Sequence, residues 1–197
     1  MSDTYDINGE RYEREVLPSN ADTELDMVKG GWYFADRTLK VSIQISKVSV
    51  DLKRFQRLPI VETDDFKDDI FRIAHESFTY DRRFHVAPEC DQAVSAVVLR
   101  RWVDDLGASL VCLYHEKPIG FLNLRENFVH LAAVEAKYRV TGAAMGLYAR
   151  AIELVGERGF KTLDGRISSL NTPVMNLYAS FGAAFSDPED VFLRKLS

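Results

Sequence analysis

Cysteine is nearly missing from this 197-residue chain: Cys90 and Cys112 are the only two. Two cysteines are too few for a disulfide framework and read as free thiols. Histidine is almost as scarce. His75, His85, His115 and His130 stand in neither an H-E-x-x-H nor a Cys-x-x-Cys context, so no metal centre is expected. No apolar run reaches the length needed to cross a bilayer, and residues 1–13 are polar, without the apolar segment of a secretion signal. A cytoplasmic protein with no membrane insertion is the expectation. A surplus of positive charge is also missing: 25 Lys and Arg face 30 Asp and Glu, a formal net charge of −5. Nucleic acids and anionic membranes call for a basic face, so no nucleic-acid partner is expected. The G-x-x-x-x-G-K-S/T and G-x-G-x-x-G phosphate loops are absent, as are internal repeats and low-complexity tracts.

What is present is a chain with 46% hydrophobic and 28% charged residues, long enough for a substantial core. Its most informative stretch joins the apolar run Phe128–Val134 to a segment whose apolar positions Ala144, Leu147, Tyr148, Ala151, Leu154 and Val155 follow helical spacing. Between them stands Tyr138-Arg139-Val140-Thr141-Gly142-Ala143-Ala144, ending in small residues. A strand, a small-residue turn and a helix start aim backbone N–H groups and the positive end of a helix dipole at one point, where a phosphate can sit.

The pattern Arg-x-x-Gly-x-Ala, formed by Arg139, Gly142 and Ala144, resembles the Q/R-x-x-G-x-G/A pyrophosphate loop of the GNAT family of acyl-coenzyme A-dependent N-acyltransferases. A second stretch downstream strengthens the likeness. Asn171, Val174, Leu177, Tyr178 and Gly182 fall in step with the family's N-x-x-A-x-x-L-Y-x-x-x-G-F helix, with Val174 in place of the alanine and Ala183 in place of the phenylalanine. The two motifs together cover the last third of the chain.

The rest of the chain orders itself around them. Residues 1–25 are polar and aperiodic and read as a flexible lead or irregular cap. In residues 32–45, Leu39, Val41, Ile43 and Ile45 alternate with Lys40, Ser42 and Gln44, a half-buried strand. Thr63-Asp64-Asp65 predicts a helix start capped by Thr63, with Phe66, Ile70, Ile73, Ala74 and Phe78 on its apolar face and an end near Ser77. A loop at 79–88 rich in aromatic and basic groups, a helix over 91–106 and strands at 109–115 and 119–125 follow. After the turn at Gly142 and its helix come a strand at 162–167, the Asn171 helix and a strand pair around Ser186-Asp187-Pro188. This order predicts an α+β (mixed α/β) fold with a mostly antiparallel sheet and helices on both faces. It divides the chain into an N-terminal extension or partial domain over 1–58 and an acyltransferase domain over 59–197.

The resemblance implies the GNAT fold, with a splayed strand pair at the cleft and acetyl-CoA, or another acyl-CoA, as co-substrate. Residues 139–144, that is Arg139, Val140, Thr141, Gly142, Ala143 and Ala144, would hold the pyrophosphate, and backbone N–H groups near Ala132, Ala133 and Val134 would face the thioester. Asn171 would contact the cofactor arm while capping its helix, and Tyr178 would contact the cofactor and give a proton to the departing thiolate. Tyr178 also fits the apolar stripe of that helix, where a tyrosine is ordinarily core. The general base is left open among Glu126, Glu135 and His130.

Gly31, Trp32 and Asp36 resemble a strand motif of sugar-nucleotide N-acetyltransferases, and Arg83-Phe84-His85 resembles a loop of the same group, although Val86 to Pro88 stand where that loop has an aspartate. The segment 99–103 is similar to a helix of that group. The implied activity is acetyl or short-acyl transfer to the amine of a nucleotide-linked amino sugar, with Arg83, Phe84 and His85 touching the substrate. Acylation of another small amine or of a protein N-terminus, and non-catalytic acyl-CoA binding, are the alternatives. The family's sheet can extend across a homodimer.

Overall fold

The computed structural model describes residues 2–7, 10–78 and 92–196. Along the chain run β1 (Ser2–Ile7), β2 (Glu10–Pro18), α1 (Ala21–Lys29), β3 (Tyr33–Gln44), β4 (Ile60–Thr63), α2 (Lys67–Ser77) and α3 (Gln92–Asp104). After them come β5 (Ser109–Tyr114), β6 (Lys117–Arg125), β7 (Phe128–Val134), α4 (Ala143–Glu157), β8 (Thr162–Ser168), α5 (Thr172–Ser180) and β9 (Ala184–Leu196). The nine strands form one sheet in the order β1-β2-β9-β3-β8-β7-β6-β5-β4. Neighbours pair antiparallel except β7 and β8, which run parallel.

Helices cover the sheet on both faces, and each face has its own core. On one side Val41, Ile43, Leu122 and Leu163 pack beneath Leu147 and Ile152 of α4 and Phe181 at the end of α5. On the other, Phe121, Val111 and Leu131 pack beneath Ile70 and Ile73 of α2 and Val103 of α3. Strands β5, β6 and β7 contribute to both cores, and residues 118–124 of β6 are all buried, as expected of a strand covered on two sides.

Helix α4 is set by its sequence along its buried face and at its C-terminus. Ala143, Leu147, Ala151 and Val155 recur at helical spacing and are all buried. Its C-terminus closes with Gly159 at φ +84°, where the Phe160 N–H reaches the Val155 carbonyl at 3.1 Å and the Gly159 N–H the Gly156 carbonyl at 2.9 Å. That is the glycine-terminated double hydrogen bond that satisfies the last helical carbonyls. Gly146 lets the helix approach its neighbour, since a Cβ there would lie 2.9 Å from the Phe55 carbonyl oxygen.

Several expectations require correction. Within the stretch read as a flexible lead or irregular cap, Ser2–Ile7 and Glu10–Pro18 form the antiparallel pair β1 and β2, and α1 starts at Ala21. Strand β2 pairs along its length with β9, from Arg11↔Leu196 to Pro18↔Glu189, so the partner that satisfies its backbone lies at the far end of the sequence. Tyr12 anchors it at 4% exposure. Thr63 ends β4, an edge strand that had no periodic signal, and does not cap α2. Its hydroxyl accepts the Asp65 N–H at 3.1 Å, closing a tight turn, and Phe66 precedes the helix in the left-handed region at φ 63°. The expected strand pair around Ser186-Asp187-Pro188 is one strand, β9, that takes up the turn signal as register shifts against β3 and a positive φ at Asp187. The substrate loop Arg83-Phe84-His85, and Cys90, lie outside the described residues.

Candidate active site

The parallel pair β7 and β8 is joined at only two positions, Phe128↔Asp164 and Val129↔Gly165. Beyond Val129 the strands part, while β7 stays paired with β6 as far as Val134. The Glu135 N–H donates to the Ile119 carbonyl at 2.9 Å, which fixes the alternation. Residues 135, 133 and 131 therefore turn their N–H groups toward β6, and Ala132 and Val134 turn theirs into the gap that β8 has left. Ala133, grouped with them in sequence, faces β6. His130 is the extra residue of a bulge, since Leu124 pairs with Val129 and Asn123 with Leu131.

The chain leaves β7 through a tight helical turn, Ala136–Thr141, and enters α4 through Gly142 at φ 84°. Only glycine takes that backbone conformation without strain, and a Cβ there would meet nothing within 4 Å. Thr141 Oγ1 donates to the Tyr138 carbonyl at 2.7 Å and Arg139 Nε to the Val134 carbonyl at 3.2 Å, tying the turn to the end of β7. No side chain caps α4, and no acidic residue stands in its first turn. The Ala143, Ala144 and Met145 N–H groups precede the first helical bond, from the Gly146 N–H to the Gly142 carbonyl at 2.9 Å. This end of α4 thus has free donors, an uncancelled dipole and room in front of it, which suits a phosphate.

On the same face, Asn171 Oδ1 accepts the Val174 N–H at 3.3 Å and caps α5. Seven residues on, Tyr178 is only 1% exposed. Its ring meets that of Tyr148 edge-on with centroids 4.9 Å apart. A Cβ built on Gly165 would stand 2.8 Å from the Tyr178 hydroxyl. Because Gly165 is the last β8 residue paired with β7, this hydroxyl lies at the point where the strands part. Burial, and then the neighbouring Tyr148, push the phenol well above its usual range, so it stays protonated.

Of the three residues left open as bases, Glu135 is 6% exposed and engaged. Arg72 reaches it at 2.6 Å and Lys137 at 3.1 Å. Burial raises its pKa, but the hydrogen bonds from Arg72 and Lys137 outweigh this and hold it below the usual carboxylate range. Glu126 sits exposed in the turn between β6 and β7 with φ 54°. His130 is exposed toward a cavity, and burial first, with the Arg125 charge second, keeps it below the usual histidine range.

That cavity, about 360 Å³, lies on the face opposite α4. Phe128 to Leu131 of β7 and Arg166 of β8 form its inner end, at the parting of the strands; Trp102, Asp105 and Leu106 wall one side. Thr38, Glu189 and Arg14 close it from β3, β9 and β2. Arg166 bonds Glu189 at 3.0 Å. The set is drawn from seven separate segments; the sequence singled out the Phe128–Val134 run, His130 as one candidate base and Trp102 within 99–103, and gave no signal for the rest. Asp36 is buried elsewhere, accepting the Ser168 hydroxyl at 2.8 Å, and Trp32 lies beneath Arg194. Among the described residues no group of His, Cys, Asp and Glu is arranged to hold a metal, and no helix is long and apolar enough to cross a membrane.

Residues 67–183 match the model of the acetyltransferase (GNAT) family. Among solved structures, a GCN5-related N-acetyltransferase from Sphaerobacter thermophilus superposes with a TM-score of 0.60 at 12% identity, over 94% of this chain and 60% of that one. A GNAT-family acetyltransferase from Colwellia psychrerythraea gives 0.58 at 12% identity, over 93% of this chain and 64% of that one. A GCN5-related glucosamine N-acetyltransferase region of a fungal multi-domain β-N-acetylglucosaminidase gives 0.59 at 11% identity, over 90% of this chain and 24% of that one. The chain therefore spans less than two thirds of each of these three. No curated protein sequence matches it. At these identities the structures speak for the fold, and the family model, which matches more than half of the chain, speaks for the lineage: the chain belongs to the GNAT family of acetyltransferases.

Proposed function

We propose that the protein transfers an acetyl group, or a short acyl relative, from acyl-CoA to the amine of a nucleotide-linked amino sugar. The observation that carries this reading is the gap between β7 and β8. The uncapped end of α4 stands on one side of the sheet and the cavity opens at the parting of the strands on the other. Acyl-CoA supplies a thioester, a carbonyl with a good leaving group. The Gly142, Ala143 and Ala144 N–H groups would hold its pyrophosphate. The Ala132 and Val134 N–H groups point into the gap, where they would meet negative charge as it develops on the carbonyl oxygen. Tyr178, kept protonated, would hand its proton to the thiolate as the C–S bond breaks.

The amino-sugar part rests on the Arg83-Phe84-His85 resemblance, on the aromatic and arginine lining of the cavity, and on the name of the fungal glucosamine N-acetyltransferase region. Calorimetric titration with acetyl-CoA, followed by a panel of UDP- and dTDP-linked amino sugars, tests it. Cofactor binding together with binding and turnover of one such sugar is the expected result. Cofactor binding with response only to other amines would move the acceptor class, and no acetyl-CoA binding would overturn the reading of the Gly142 turn.

A further inference from the structure

Resting on the acetyl-transfer reading above, we propose that His130 is the general base that takes the proton from the acceptor's ammonium group. Among the described cavity residues, three can accept a proton: Asp105, Glu189 and His130. Asp105 follows the last turn of α3. Glu189 lies on β9, separated from β8 by β3, and its carboxylate is held by Arg166 at 3.0 Å. His130 alone stands on a strand that borders the gap. It is the bulge residue that pairs with nothing on β6, and it comes directly after the last residue joining β7 to β8. The Ala132 N–H, which faces the gap, is two residues further, about 7 Å along an extended strand. An amine in the cavity is then within reach of the imidazole, directly or through one water, while its nitrogen addresses a carbonyl at that N–H.

The surroundings suit the task. The imidazole edge lies near Phe128, with ring centroids 5.0 Å apart. The charged groups around it are Arg125 from β6, Arg166 from β8, Glu189 from β9, Arg14 from β2 and Asp105 after α3, while β3 contributes only the neutral Thr38. Arg166 and Glu189 offset one another, while desolvation first and the Arg125 charge second oppose protonation, which favours the neutral ring that a base requires. The step balances. His130 takes one proton from the ammonium; the freed nitrogen pair forms the C–N bond; the C–S bond breaks with its pair going to sulfur, which is protonated by Tyr178; the second proton, lost by the nitrogen as it becomes an amide, restores the Tyr178 phenol by way of solvent; and His130 returns its proton to water. A thioester and an ammonium become an amide, a thiol and one proton.

The test measures thiol release from acetyl-CoA with D-glucosamine and with the UDP- and dTDP-linked amino sugars, for wild type and for His130→Ala and His130→Gln. The expected result is a fall in kcat/KM of about 10² or more in both variants. Loss of the acid limb of the wild-type pH profile, and partial recovery of His130→Ala by added imidazole, should accompany it. Acetyl-CoA affinity and melting temperature should be unchanged, because the residue is exposed and lies outside the phosphate turn. Variants that keep wild-type kcat/KM and the same acid limb would overturn the assignment while leaving acetyl transfer intact. Failure of the wild type to acetylate any of these amines would overturn the reading beneath it and the assignment with it.

Discussion

Tyr148 and Tyr178 meet edge to face at an interplanar angle of 77°, one from α4 and one from α5, with both rings buried in the core. Burial raises the Tyr148 phenol to about 12, with the neighbouring Tyr178 hydroxyl working the other way. Tyr178→Phe should leave acetyl-CoA affinity unchanged and lower kcat by on the order of 10². Tyr148→Phe keeps the aromatic packing and removes the hydroxyl that neighbours Tyr178, so it should cost about 1 kcal/mol of stability and less in turnover. Calorimetry, denaturant melts and initial rates on the two variants separate these outcomes.

Gly165→Ala tests the same hydroxyl from the strand side. The added methyl would stand 2.8 Å from the Tyr178 oxygen, with Val41 also within 3.4 Å. Overpacking of this kind costs about 1–3 kcal/mol. The phenol must move, so kcat should fall together with stability. A variant with normal melting and normal rate would show that the hydroxyl has no fixed place at the parting of β7 and β8.

Gly142→Val probes the phosphate turn. Its φ of 84° makes any Cβ unfavourable by about 1–2 kcal/mol, but no neighbour stands within 4 Å to be displaced, so the protein should still fold. The branched side chain would crowd the N–H groups of Ala143 and Ala144. Acetyl-CoA affinity, read by calorimetry, should drop at least tenfold while circular dichroism stays native.

Glu135 sets a pH dependence with a defined sign. Its folded pKa lies below the ordinary value of 4.5, so the stability it contributes is present above that value and is lost as pH falls through the folded pKa. Glu135→Gln should therefore lower the melting temperature at pH 7 and change it much less at pH 3. Equal losses at both values would mean that the Arg72 and Lys137 contacts add nothing to the fold.

What could be read from the sequence was local. The turn from β7 into α4 and the cap of α5 are written in contiguous residues whose glycine, asparagine and helical spacing act on their own neighbours. Strands β1 and β2 were hidden because their backbone partner, β9, lies far along the chain and because Glu13, Arg14 and Glu15 give no alternation. Thr63 followed by two acids suits both a helix cap and a tight turn, and the left-handed Phe66 decided for the turn. His130 stood among three candidate bases with nothing to single it out, because plain alternation groups it with the apolar Phe128 and Ala132. The bulge that turns it into the cavity depends on the register of β6, which no window within one strand contains.

Strand β9 is the last element of the described chain, yet it lies between β2 and β3 in the sheet. During synthesis β1 and β2 leave the ribosome long before the strand that joins them to the rest, and they must wait as an unattached pair. The β5-β6-β7 meander can assemble early from neighbouring segments, whereas the β2-β9 and β3-β9 ladders close loops of more than a hundred residues. Such loops slow folding through their contact order. The final step of folding is thus expected to be the entry of β9 between two strands already made.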